Sequence, residues 1–145
     1  MSKIKQLISL MPEKSDCAVI TSEDNRNFFL GFAASNATLI VTREGAFFYT
    51  DSRYITAAKQ EIKDAEVILQ NGSFYANLNS AFEAKKIKTA SFEAKHTSIE
   101  EYAFLKKEIN GIDFDFSGDI DNAILKIRRK KSSDEIEKIR RAQES

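Results

Sequence analysis

Asp51-Ser52-Arg53-Tyr54 holds the residue types best suited to a working site in this sequence. Asp51 closes an apolar run that reads as a strand and stands where it can cap the helix that follows, a position in which a carboxylate contributes about 0.5–2 kcal/mol. Arg53 then falls in the first helical turn. The helix dipole opposes a cation there, so a carboxylate or carbonyl partner is expected nearby. That partner can be structural or can belong to a ligand, and structural ion pairs are the commoner case.

Other candidates offer less. His96 is the only histidine, so a Ser-His-Asp, Cys-His or His-containing metal site would have to use it. It lies between a strand pattern and Thr97-Ser98, without spaced partners. The acidic run from Asp113 to Asp121 carries Asp113, Asp115 and Ser117 at calcium-loop spacing with Gly118 at the turn, but Ile124 stands where the bidentate Glu belongs. Ile112, Phe114 and Phe116 alternate with Asp113 and Asp115, the pattern of a half-buried strand. Arg128-Arg129-Lys130-Lys131 is a basic run without an aromatic residue and reads as a solvated hinge at a junction. No dinucleotide-type glycine pattern or Walker A pattern occurs.

The elements that must position these residues alternate along the chain. Strands are expected at about 17–21, 37–42, 46–50, 65–69, 88–93 and 112–116. Ala37–Thr42 and Ala46–Thr50 flank Arg43-Glu44-Gly45 as a hairpin. Helical stripes run through Ile4, Leu7, Ile8 and Met11; through Tyr54, Ile55, Ala58 and Ile62; through Phe74, Leu78, Ala81 and Phe82, with Ser73 as cap; and through Ile99, Tyr102, Leu105 and Ile109, with Thr97 or Ser98 as cap. A hairpin followed by strand–helix units implies an α/β fold, a mixed sheet with helices on both faces.

Bulk properties agree with such a domain. The 145 residues, 42% hydrophobic and 30% charged, suit one globular unit that needs no disulfide. Lys plus Arg and Asp plus Glu each number 22, so no net field draws in nucleic acid or an anionic membrane, and neither is expected as a partner. Cys17, the single cysteine, cannot form an internal disulfide, which fits a cytoplasmic protein. The first apolar stripe is broken by Lys3, Lys5, Gln6 and Ser9, unlike a signal peptide, and no run reaches membrane-spanning length. Near the end, Ser132 and Glu135 have capping-box spacing and Ile136 and Ile139 start a new apolar stripe. Residues 1–131 are therefore expected to form one domain, with 132–145 opening the first helix of a second.

Three stretches read together resemble the N-terminal domain of the creatinase/prolidase family, which includes Xaa-Pro aminopeptidases and dipeptidases. Asn25-Arg26-Asn27-Phe28-Phe29-Leu30-Gly31-Phe32 is similar to the family's N-x-x-Y-L-T-G-F. Val41 to Tyr54 is similar to V-T-x-E-G followed by T-D-x-R-Y. Leu125 to Arg140 is similar to the L-R-x-x-K-S-x-x-E-I-x-x-I-R junction, and Phe92-Glu93 through Glu101-Tyr102 to F-E…T-x-E-x-Y. Asn27, Leu30, Ala34 and Ala37 depart from residues frequent at those positions.

The resemblance implies a ribonuclease-H-like three-layer α/β/α domain preceding a catalytic domain. That second domain would carry two divalent metal ions, manganese or cobalt, on two Asp, one His and two Glu, activating a water for amide hydrolysis. This segment would hold no catalytic residue and no metal. Its implied roles are homodimer pairing, packing on its own catalytic domain, and closing one side of a cleft for short proline-containing peptides. The alternative is a protein-binding module, as in catalytically inactive relatives. The loop Gly31–Asn36 is expected to be either the substrate-access element, the role the resemblance implies, or a simple connector into the next strand. Gly31 permits a bend, Phe32 anchors the turn, and Ala33, Ala34, Ser35 and Asn36 are small or polar enough for close approach by a ligand or another chain.

Overall fold

A strand with no polar side chain must be covered on both faces, and Cys17–Ile20 forms β1 with every residue buried. The structure is a computed structural model and describes residues 2–130; the expected second-domain start, with Ser132, Glu135, Ile136 and Ile139, lies outside them. β2 (Thr38–Thr42), β3 (Gly45–Thr50), β4 (Glu66–Leu69), β5 (Thr89–Phe92) and β6 (Asp113–Asp115) complete a sheet of order β4-β3-β2-β1-β5-β6. The β1–β2 and β2–β3 pairs are antiparallel, and β3–β4, β1–β5 and β5–β6 are parallel. All six expected strands are present within about two residues. The hairpin is one residue tighter than expected, because Gly45 pairs with Thr42 inside the ladder.

The pleat sorts β1 into two cores. Ala18 and Ile20 join Leu39 and Val41 beneath one helical layer, and Cys17 and Val19 join Ile40 beneath the other. On the first face lie α1 (Lys3–Leu10), α2 (Glu23–Leu30) and α6 (119–130), with α3 (Ile55–Glu61) covering Phe48. On the second lie α4 (Phe74–Ala84) and α5 (Ile99–Glu108). This is the expected three-layer α/β/α arrangement. Ser73 and Ser98 cap α4 and α5 through their hydroxyls, and Ser98 with Glu101 completes a capping box.

Two helices were not anticipated. α2 buries Phe29 together with Asn25 and Arg26, and those two polar residues erase its apolar stripe. α6 replaces the expected hinge over 128–130: the helix, anchored by Ile120, Ala123, Ile124 and Ile127, carries Arg128, Arg129 and Lys130 within it, and Lys131 lies outside the described residues. One expected stripe fails at its start. Ile99 is 90% exposed and Tyr102 39%, leaving Leu105 and Ile109 as the buried pair. Tyr102 is only half-covered and meets the Phe116 ring edge-on at 5.0 Å at the margin of this core.

Asp115 in β6 is committed to the interior. Ser91 Oγ donates to its Oδ2 at 2.7 Å, Ser117 N–H to its Oδ1 at 3.0 Å, and Lys14 lies 3.7 Å away. Burial works to raise the Asp115 carboxyl, but these hydrogen bonds and Lys14 outweigh it and hold it below the usual carboxylate range.

Burial, aided by Asp16, pushes the Cys17 thiol up to about 12. The thiol is thus neutral and shielded, and iodoacetamide is expected to leave it unmodified in the native chain and to alkylate it on denaturation, as intact-mass measurement would show. The unfolded thiol ionises near 9 and the folded one about three units higher. This contribution is therefore fully present below pH 9 and lost as pH rises toward 12, at up to about 1.4 kcal/mol per pH unit.

Candidate functional site

The ends of β1, β3, β4 and β5 and the start of β2 share one edge of the sheet, which brings residues 21–22, 31–37, 51–54, 70–72 and 93 together. The loop 31–36 begins where α2 stops. Gly31 adopts φ 64°, and its N–H donates to the Asn27 carbonyl at 2.8 Å. Phe32 turns inward and meets Phe48 edge-on at 6.0 Å. Ala34 is buried and its carbonyl accepts from Arg26 Nη1 at 2.6 Å. It therefore supports the loop from beneath, and the surface open to approach is Ala33, Ser35 and Asn36.

Asn36 sits at φ 51°, and its carbonyl accepts from Gln70 Nε2 at 3.1 Å. Asparagine tolerates this left-handed backbone better than a bulky or branched residue does. Asn36→Gly is expected to be neutral in thermal unfolding, whereas Asn36→Val should cost about 1–2 kcal/mol. Equal stability of the two would show that the backbone conformation carries no cost.

Asp51 does not cap the helix after it. The N-terminal cap position of α3 is Tyr54, and both oxygens of Asp51 are spent on the turn before it. Oδ1 accepts from Arg53 N–H at 3.0 Å, and Oδ2 accepts from Arg53 Nη2 at 2.7 Å and Nε at 3.2 Å. The expected partner of Arg53 is thus Asp51 itself, two residues back. The Arg53 side-chain hydrogen bond, with help from the Arg53 and Asn36 contacts, holds the Asp51 carboxyl below its ordinary range. The Arg53 guanidinium also lies 5.2 Å from the Tyr54 ring centre.

Loop and motif meet. The Ser35 and Tyr54 hydroxyls are 3.2 Å apart, and the Asn36 side chain lies near enough to help lower the Asp51 carboxyl. The result is an exposed polar edge of hydroxyls, an amide and an oriented guanidinium, standing on a buried Phe32–Phe48 base. It can bind and orient; its side chains form no nucleophile–base pair.

A second polar centre lies behind this edge and was not read from the sequence. Glu93, 1% exposed, accepts from Thr21 N–H at 2.8 Å, Ser22 N–H at 3.0 Å, Ser22 Oγ at 2.6 Å and Asn25 Nδ2 at 2.6 Å. α2 leaves β1 toward one face and α5 leaves β5 toward the other, so Glu93 occupies the crevice where open α/β sheets usually take anions. The fold closes that crevice with its own side chain. The signal available in the sequence was a glutamate directly after a buried strand, where a charge needs partners.

His96 is exposed in a short 3-10 helix over Ala94–His96. Among the described residues no three His, Cys, Asp or Glu side chains gather to hold a metal. They do not fit a two-metal site, and no metal-dependent step is derived from them. No described helix is long and apolar enough to cross a membrane. A cavity of about 430 Å³ lies at the opposite end of the sheet beside Asp16, Arg43 and Lys85 and contains none of the residues above.

A family profile described as the creatinase/prolidase N-terminal domain matches residues 3–129. Uncharacterized peptidase YqhT of Bacillus subtilis is 29% identical over 135 residues, which cover 92% of this chain and 37% of that protein. Among solved structures, an aminopeptidase P, Xaa-Pro aminopeptidase, of Streptococcus thermophilus superposes with a TM-score of 0.73 at 22% identity, over 86% of this chain and 94% of that one. An X-Pro aminopeptidase of Thermotoga maritima superposes with a TM-score of 0.69 at 26% identity, over 79% of this chain and 33% of that one. The chain thus spans well under half the length of the Bacillus and Thermotoga relatives.

Proposed function

This chain belongs to the creatinase/prolidase family as an N-terminal domain, and we propose that it is the non-catalytic pairing and substrate-access domain of a metal-dependent peptidase that cleaves Xaa-Pro bonds in short peptides. The observation that carries this reading is the meeting of loop 31–36 with Asp51-Ser52-Arg53-Tyr54 at one exposed edge. Asp51 engages Nε and Nη2 of Arg53 and leaves Nη1 for a further acceptor, such as a peptide carbonyl or carboxylate. Ser35 and Asn36 flank that donor, and small side chains at this point let an extended peptide pass.

In this reading, two divalent metal ions, manganese or cobalt, reside in a catalytic domain that follows in the parent protein. When bound there they supply the activated water. The access edge faces the cleft of the partner subunit in a cytoplasmic homodimer. Proline-second peptides suit such a site, because their missing N–H and fixed φ make them stiff and easily oriented.

Hydrolysis assays test the proposal. With manganese and an Xaa-Pro peptide, the 145-residue chain is expected to release no N-terminal residue, and the parent protein to release it. Metal-dependent release by the chain alone would overturn the non-catalytic reading. An inert parent would favour a protein-binding module instead.

A further inference from the structure

We infer that Arg128, Asn25 and Glu93 form a clamp that fixes the orientation of the last described turn of α6 against the domain. The three residues come from separate stretches of sequence and meet in one line of contacts. Glu93 Oε2 accepts from Asn25 Nδ2 at 2.6 Å, and Asn25 Oδ1 accepts from Arg128 Nη1 at 2.8 Å, across 103 residues of chain. The Asn25 amide has only one workable orientation, since reversing it would set donor against donor at the guanidinium and acceptor against acceptor at the carboxylate. Glu93 is itself held by the main-chain N–H groups of Thr21 and Ser22, so the line is referred to backbone.

The apolar anchors of α6 end at Ile127. Arg128 is half-buried, with its guanidinium 5.1 Å from the Phe28 ring centre, and Arg129 and Lys130 are exposed. An aliphatic stripe by itself lets a helix end roll on its bed; a charge-assisted hydrogen bond of fixed geometry does not. α2 supplies Asn25 near one end and terminates at Gly31, where the access loop begins. The last described turn of α6 and the position of the loop are therefore referred to the same short helix. In the parent peptidase this makes Arg128 a positioning residue for the following domain, a consequence that rests on the proposed function.

Nitroxide labels at Lys95→Cys and Lys130→Cys, read by pulsed dipolar spectroscopy, test the clamp; the buried Cys17 stays unlabelled. The wild-type background is expected to give one narrow distance distribution, unchanged by Arg129→Ala. Arg128→Ala should broaden it, Asn25→Ala should do the same where it folds, and the double variant should add nothing further. An unchanged narrow distribution in folded Arg128→Ala overturns the clamp. In the parent protein Arg128→Ala should lower kcat/KM on an Xaa-Pro peptide roughly tenfold or more at unchanged metal content, with partial rescue by Arg128→Lys. Full activity alongside a broadened distance overturns the positioning role. An inactive wild-type parent overturns the proposed function instead, and the distance measurement still decides the clamp.

Discussion

Replacing Glu93 by alanine is expected to lower the unfolding free energy by about 3–5 kcal/mol. The side chain is almost fully enclosed and accepts from two main-chain N–H groups, the Ser22 hydroxyl and the Asn25 amide. Truncation strands those donors together, and burial of each unmet donor costs about 1–3 kcal/mol. Glu93→Gln should fall between alanine and wild type: its carbonyl can still serve one pair of donors, while its NH₂ faces the other pair. Urea unfolding monitored by circular dichroism reads the difference. Exposed Glu66→Ala serves as the reference and should move stability by no more than about 0.5 kcal/mol. A loss below about 1 kcal/mol for Glu93→Ala would mean that water replaces the carboxylate and that the crevice is not closed from within.

Phe48→Ala is expected to cost about 3–5 kcal/mol, for a different reason. Phe48 is fully buried in β3 and packs with Phe32, Ala34, Ala37, Ala58 and Ile62 beneath the access edge. These neighbours hang from a short helix and a loop anchored at several points, so the space left by the ring closes only in part. Phe32 would lose its edge-on partner, and loop 31–36 should loosen with it. Amide exchange of residues 32–36 is therefore expected to accelerate by more than exchange in β1. Uniform acceleration across the sheet would show that Phe48 supports global stability alone.

The central strands were legible because they keep a simple rule. Runs such as Cys17–Ile20 and Thr38–Thr42 are buried on both faces, and no other element places so many adjacent apolar residues out of water. α4 was legible from its stripe and its serine cap. α2 was hidden by the same feature that gives it a role: Asn25 and Arg26 take buried positions where an apolar residue would signal a helix. Their partners, Glu93 and the Ala34 carbonyl, are distant or main-chain, and neither is visible in local spacing. Ser22 before Glu23 and Asp24, with Gly31 nine residues past the cap, did carry the start and stop of that helix. α6 carried a full i, i+3, i+4, i+7 stripe in Ile120, Ala123, Ile124 and Ile127, and reading the basic run beside it as a hinge obscured it.

The candidate edge divides in the same way. The need of Arg53 for a partner follows from dipole physics, and Gly31 and Phe32 follow from turn and packing chemistry. That Ser35 reaches Tyr54 and Asn36 reaches Asp51 depends on β2 and β3 lying side by side with their loops at one end, which is a property of topology. The left-handed backbone at Asn36 matters in practice: enlarging that residue would mix backbone strain with any effect on access. Ser35 is exposed and free of that constraint.

Steady-state kinetics of the parent protein carrying Ser35→Trp test the access role most directly, with Xaa-Pro dipeptides and longer Xaa-Pro peptides as substrates. An indole at this point would narrow the passage above Arg53 and Tyr54 without touching a buried group. The expected result is a several-fold lower kcat/KM for the longer peptides, expressed mainly in KM, with dipeptide turnover, metal content and Tm close to wild type. Identical kinetics for every peptide length in the folded variant would contradict the account and return loop 31–36 to the role of a connector between α2 and β2.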